Sequence, residues 1–137
     1  MTRVDVASGE VTSADVGVEP HDVKFASPDL AYVADEAGRR LLEIDPDRLK
    51  VRRAIAMPGP PHDLLVADGA VWVTIVGSDA LLRVRGTSID RFPTGRSPHD
   101  LVLDRRGRIW FSNWHSEELS VRSSAACPWR GPCTAWR

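Results

Sequence analysis

No run of like charge marks this chain of 137 residues: 18 basic residues stand against 19 acidic ones, leaving a net charge of −1. Without a basic stripe it has no electrostatic hold on nucleic acid or an anionic membrane, and neither is expected as a partner. Long apolar runs are missing too. AVWVTIV at 70–76 falls far short of the ~20 residues that cross a bilayer, so no transmembrane helix is expected. The opening MTRVDVASGE has no basic head, apolar run or small-residue cleavage site, so the sequence as written predicts a cytoplasmic protein. Cysteine is scarce. Cys127 and Cys133 both fall in CPWRGPC, a spacing that matches no zinc site; a disulfide between them would staple only the tail, and their role stays open. No stretch of helical length places apolar residues three and four apart, which excludes a helical solenoid. No Ser-His-Asp arrangement, phosphate-cradling Gly-rich loop or specific carboxylate pair stands out either.

What the chain does have is repetition. Its length suits one domain, able to bury roughly two-thirds of its extended surface. Pro-His-Asp occurs at 20–22, 61–63 and 98–100. His21 and His62 are 41 residues apart, and His62 and His99 are 37 apart. From each histidine to the first aromatic of the following apolar run is 11, 10 and 11 residues (Tyr32, Trp72, Trp110). From there to the end of the next run is 12, 12 and 11 (Ile44, Val84, Val121).

Each unit is patterned as strands. HDVKFAS, HDLLVAD and HDLVLD alternate apolar and polar residues at the period of a half-buried strand. LAYVAD, AVWVTIV and RIWFSNW are aromatic and β-branched, suited to a central strand buried on both faces. LLEID, ALLRVRG and ELSV supply a third strand, and VRRAIAM and SIDRF a fourth. The DRRGR run at 104–108 reads as a solvated hairpin turn in which Gly107 supplies a permissive backbone. Four-stranded antiparallel units of about 40 residues are the mark of β-propeller blades. The expected fold is therefore all-β, a partial propeller of a little over three blades, with an irregular C-terminal tail. By register, RVDV at 3–6 is a third strand and the segment around Val16 a fourth. The expected boundaries are a blade remnant at 1–18, blades at about 19–59, 60–96 and 97–121, and a tail at 122–137 outside the repeat, as an interruption of frame near residue 122 would produce. Closed propellers have about 4–8 blades, so a second copy of the chain is one expected partner that completes the ring.

PHDVKFASPDLAYVADEAGRRLLEIDP at 20–46, a shorter match at 61–84 and PHDLVLDRRGRIWFSNW at 98–114 resemble the NHL and YVTN-type bacterial propeller repeats over about residues 3–121. Their nearest functional flavour is similar to the streptogramin (virginiamycin B) lyases. That resemblance implies a metal ion, magnesium or another divalent cation, polarising an ester while a histidine acts as base. Glu19, Pro20 and His21 match the family's Glu-Pro-His element, and Glu36 its second glutamate with one extra residue. The second and third units depart from it, with Pro60 and Ser97 at the first glutamate and Ile75 and Asn113 near the second.

Two readings of the triplet follow. In one, the three His-Asp pairs ring a channel mouth, where neutral imidazoles bind a divalent metal or act as a base; His62 and His99 are then ligand-binding candidates beside the catalytic candidates Glu19, His21 and Glu36. In the other, which is preferred because the triplet is the same in every unit, His and Asp hydrogen-bond to backbone between blades and Pro fixes the strand start. Tyr32, Trp72 and Trp110, at one strand position, are expected to pack between blades. Trp114 and His115 break the repeat and are further ligand-binding candidates, against the plainer expectation of a loop on the outer rim. The function expected is a ligand-binding or interaction scaffold for a small molecule or a protein, inactive by itself; the alternative is a metal-assisted lyase or hydrolase of the streptogramin lyase or gluconolactonase-like kind.

Overall fold

The computed structural model describes residues 1–116 and 118–123, and among these every regular element is a β-strand. The segment carrying Cys127 and Cys133, most of the tail expected from residue 122, lies outside the described residues.

β1 (Thr2–Val4) pairs with β2 (Val11–Ser13) as a small hairpin. A four-stranded sheet follows, from β3 (Pro20–Ser27), β4 (Leu30–Asp35), β5 (Arg40–Asp45) and β6 (Lys50–Ala56), then a second from β7 (Pro61–Ala67), β8 (Ala70–Ile75), β9 (Ala80–Arg85) and β10 (Ser88–Pro93). A three-stranded sheet of β11 (Pro98–Leu103), β12 (Arg108–Asn113) and β13 (Glu118–Ser123) ends the described chain. Every pairing is antiparallel and follows chain order, so each sheet is a meander blade. The all-β partial propeller expected from the repeat is the fold observed.

Turn chemistry sets the hairpins. Asp68 and Gly69, the two residues between β7 and β8, both have positive φ (50° and 67°), the conformation of a type I′ turn whose twist matches its strands. Between β11 and β12, Gly107 takes φ 71° as the DRRGR turn requires.

The core lies between sheets, as the period of two dictates. In β8, Val71, Val73 and Ile75 pack toward the first blade with Ala34, Leu41 and Leu64. Trp72 on the same strand points the other way and, with Leu81 of its own blade, clusters with Ile109 and Phe111 of the third blade. A third cluster joins Ala31, Val33, Leu42 and Ile44 to Val16, with Met1 and Ala14 beside it. Because β8 has a blade on each side, all six of its residues are buried; burying each large side chain there is worth about 1.5–3 kcal/mol. Tyr32 and Trp72 pack between blades as expected. Trp110 is half-buried beneath the Arg108 guanidinium, and its indole donates to Asp104.

The N-terminal strands differ from expectation. β1 stops at Val4, because the Asp5 carboxylate accepts the Ala7 and Ser8 N–H groups and the Ser8 hydroxyl, folding 5–8 into a turn. The fourth-strand place falls to Val11–Ser13, and Val16 is a buried residue after the strand.

Candidate functional site

Each Pro-His-Asp triplet opens the first strand of a blade. The prolines sit in register opposite the last residue of the second strand: Pro20 with Asp35, Pro61 with Ile75, Pro98 with Asn113. The ladder is broken immediately afterwards in all three. A bulge re-aims the side chains that follow it, and here it frees His and Asp from the regular alternation.

The consequence is a row of rings. His21 and His62 are in tilted contact with centroids 3.9 Å apart, His62 and His99 at 3.9 Å, and His99 and Trp114 at 4.3 Å. With Asp22, Asp63 and Asp100 they line a cavity of about 360 Å³, a size that takes a small molecule. Trp114 thus faces the cavity, not the outer rim. His115 turns to Ser97, its Nδ1 lying 2.7 Å from the Ser97 hydroxyl, and meets Trp114 edge-on.

The aspartates fasten blade to blade. Asp22 accepts the N–H of Leu64 at 2.9 Å, and Asp63 accepts the N–H of Leu101. The structural expectation therefore holds for Asp, which bonds backbone across the junction. It does not hold for His: His62 Nδ1 lies 3.4 Å from a Glu36 carboxylate oxygen and His99 Nδ1 3.3 Å from Asp100, while the rings touch one another at a tilt. Lys24, which nothing in the repeat signals, reaches the Asp22 carboxylate at 2.8 Å and Asp63 at 3.4 Å. Burial, and then the hydrogen bond shared with Asp22, push the Asp63 carboxyl above its usual range. For Asp22 burial acts the same way but is outweighed by hydrogen bonds from Asp63, Lys24 and the Leu64 N–H, which hold it below. Thr74, buried on β8, accepts the Asp63 N–H and donates to the His99 carbonyl, tying the second and third blades at the same level.

The asymmetry lies one residue beyond the second strand. Glu36, Val76 and Trp114 are structural equivalents: their N–H groups donate to the carbonyls of Glu19 (2.9 Å), Pro60 (3.2 Å) and Ser97 (2.9 Å). One position thus carries a carboxylate, an aliphatic side chain and an indole in successive blades. Glu36 is held there by its neighbour Asp35, whose fully buried carboxylate accepts the Val18 and Glu19 N–H groups and the Arg40 guanidinium. Burial pushes Asp35 up, but those three partners outweigh it and keep the carboxyl below its usual range. Gly38 is required beside it, since a Cβ there would lie 1.9 Å from Asp35 Oδ2.

His21, Glu36 and His62 each bring one ligand atom into a group spanning no more than 4.8 Å. Glu19, the remaining catalytic candidate, joins this neighbourhood through its carbonyl; its side chain is exposed. Burial lowers the His62 pKa, the neighbouring His21 and His99 rings lower it further, and Glu36 opposes them without winning. His62 is therefore a neutral imidazole at neutral pH, with a lone pair to give.

Among solved structures, hydrazine synthase of Kuenenia stuttgartiensis superposes with a TM-score of 0.69 at 16% identity, over 85% of this chain and 36% of its own. The extracellular domain of a putative one-component system of B. thetaiotaomicron gives 0.67 at 13% identity, over 92% and 22%. A protein of unknown function from Bacteroides caccae gives 0.64 at 15%, over 74% and 44%. The scaffold is β-propeller-like. At these identities the likeness extends to fold alone, and the chain spans less than half the length of each neighbour. No known protein family and no curated protein matches the sequence, so the NHL, YVTN and streptogramin lyase resemblance rests on the quoted motifs.

Proposed function

We propose that the protein is a β-propeller binding scaffold that holds a divalent metal ion at the mouth of its channel through His21, Glu36 and His62. The observation that carries this is the meeting of those three ligand atoms within 4.8 Å, two from one blade and one from the next. Ligands of a tetrahedral zinc ion with bonds of about 2.0–2.1 Å lie roughly 3.4 Å apart, so a modest inward turn of the exposed His21 ring brings the set to bonding distance. Two imidazoles and one carboxylate suit zinc, nickel or copper; magnesium, which the resemblance implies, is a poorer fit because it prefers oxygen donors. The open side of such a site faces the cavity that Trp114 and Asp100 help to line, where a small molecule with its own donor group would complete the coordination.

Calorimetric titration with Zn²⁺, Ni²⁺ and Mg²⁺ tests this. The expected result is one saturable site for Zn²⁺ or Ni²⁺, weaker Mg²⁺ binding, and at least a tenfold loss of affinity in both His62→Ala and Glu36→Gln. Absence of saturable binding, or binding indifferent to both substitutions, overturns the proposal. A metal-assisted lyase or hydrolase is a second reading of the same site, supported by the His99 ring, which is not one of the three ligands and lies 3.9 Å from His62. Metal-dependent opening of a cyclic depsipeptide ester, lost in His21→Ala, would establish it, and no turnover by the metal-loaded chain would remove it.

A further inference from the structure

The two ends of the blade series are complementary to each other. In the interior, each blade offers a carboxylate forward and a backbone N–H backward: Asp22 to Leu64, Asp63 to Leu101. Leu64 N–H has a second acceptor in its own neighbour, Asp63, at 3.0 Å, and Val23 N–H has the corresponding bond to Asp22 at 2.8 Å. Among the described residues the forward partner of Asp100 and the backward partner of Val23 have no counterpart, and Asp100 is 80% exposed.

The apolar faces follow the same pattern. On the third blade Val102 pairs in register with Trp110, Trp110 with Val121, and Ser112 with Leu119. This places Val102, Trp110, Leu119 and Val121 on the side away from the second blade, with Val102 60% and Leu119 63% exposed. It is the face that Leu65, Trp72 and Leu81 form on the second blade, where the third blade covers it. At the other end, β1, β2 and the segment after them cover Leu42 and Ile44, the outer part of the first blade's leading face. They leave its inner strand bare, with Phe25 62% exposed and Val23 beside it. Since β2 leads into β3 as β6 leads into β7, β1 and β2 hold the third and fourth places of a blade, and the first and second places lie open before Val23 and Phe25. β11 and β12 are a first and a second strand.

We infer that two copies of this chain associate head to tail, β11 and β12 of one completing the blade begun by β1 and β2 of the other. Asp100 then accepts the Val23 N–H of the second copy, and Val102 covers its Phe25. β13 and β1 claim the same third place, so one of them yields at each joint. Two full blades from each copy and one composite blade at each of two joints make six, within the ~4–8 of closed propellers. Both joints use the same two unlike surfaces, and a ring of two ends the growth that a heterologous contact otherwise propagates.

The test is light scattering of the 137-residue chain from about 1 to 200 µM, where mass action must act on any dimer. The expected species at the upper end has twice the chain's 15.1 kDa. Phe25→Glu alone and Val102→Glu alone should each be folded monomers, because either change spoils both joints of a homogeneous ring. Mixing them should give a heterodimer held by one intact joint, the Val102 face of the Phe25→Glu chain on the Phe25 face of the Val102→Glu chain, and weaker than the parent ring because the other joint carries both substitutions. Asp100→Ala should weaken the dimer at least tenfold. A monomer at every concentration overturns the inference. So does open-ended growth, a dimer indifferent to both charged substitutions, or a mixture that stays monomeric.

Discussion

Replacing Asp63 by alanine should cost about 2 kcal/mol, and the figure can be assembled from its partners. The carboxylate accepts the Leu101 N–H across the blade junction and the Leu64 N–H within its own strand. A hydrogen bond to a charged acceptor contributes about 1.5–3 kcal/mol, and its loss strands a donor at the junction. The Lys24 contact at 3.4 Å, with the ammonium partly in water, adds well under 1 kcal/mol. Relief of the crowding that raises the Asp63 pKa against Asp22 acts in the opposite direction. Asp63→Asn keeps an acceptor oxygen and sheds the repulsion, so it should cost no more than about 1 kcal/mol. The in-register control is Asp100→Ala, which at concentrations where the chain is monomeric removes an exposed carboxylate paired, among the described residues, with its neighbouring His99 and should change stability by less than about 0.5 kcal/mol. Urea unfolding followed through the buried Trp72 measures all three. An Asp63→Ala loss no larger than that of Asp100→Ala would refute the account of the aspartate as an inter-blade fastener.

Thr74→Val keeps the shape of a buried side chain while removing its bonds to the Asp63 N–H and the His99 carbonyl; denaturant titration should show a loss of about 1–3 kcal/mol. Gly38→Ala drives a Cβ against the Asp35 carboxylate and should cost at least 1–3 kcal/mol by the same assay, as overpacked sites do. Asp45 is held well below the usual carboxylate range, first by the Arg52 guanidinium and then by the Arg48 N–H and side chain. Its folded pKa is below its unfolded value, so its contribution is complete above the unfolded value near 4 and disappears as pH falls through the folded one. Melting temperature measured from pH 5 downward should therefore fall less steeply in Asp45→Asn than in the parent protein.

The blades were legible because two periods coincide, the strand alternation of two and the unit repeat, and because Tyr32, Trp72 and Trp110 keep step with the histidines. Val4 and Val16 misled for a local reason: the strands there are three residues long, too short for alternation to locate, and the Asp5 turn that ends β1 lies within the apolar pattern. The site was half legible. His21, Glu36, Trp114 and the role of Asp as a bridge to backbone could be found from motif and register. The equivalence of Glu36, Val76 and Trp114 could not, because the first strand and its turn together take nine residues in the second blade (61–69) and ten in the others (20–29 and 98–107). Val76 therefore follows its histidine by 14 residues and the other two by 15, so a fixed count from the histidine passes over Val76 to Gly77. Nor could the row of touching imidazoles be foreseen, since it depends on a backbone bulge that leaves no mark in composition.

The forward-facing aspartate has a consequence for how such chains change length. Because every unit carries the acceptor for its successor and the donor for its predecessor, a junction does not depend on which two units meet. Excising residues 60–96 would bring Asp22 against Leu101 in place of Leu64, with the same backbone chemistry on both sides. Duplicating the unit would add a junction of the same kind. Copy number in this architecture is therefore free to drift by recombination between like units, and what fixes it is curvature: how many wedge-shaped sheets fit around one axis.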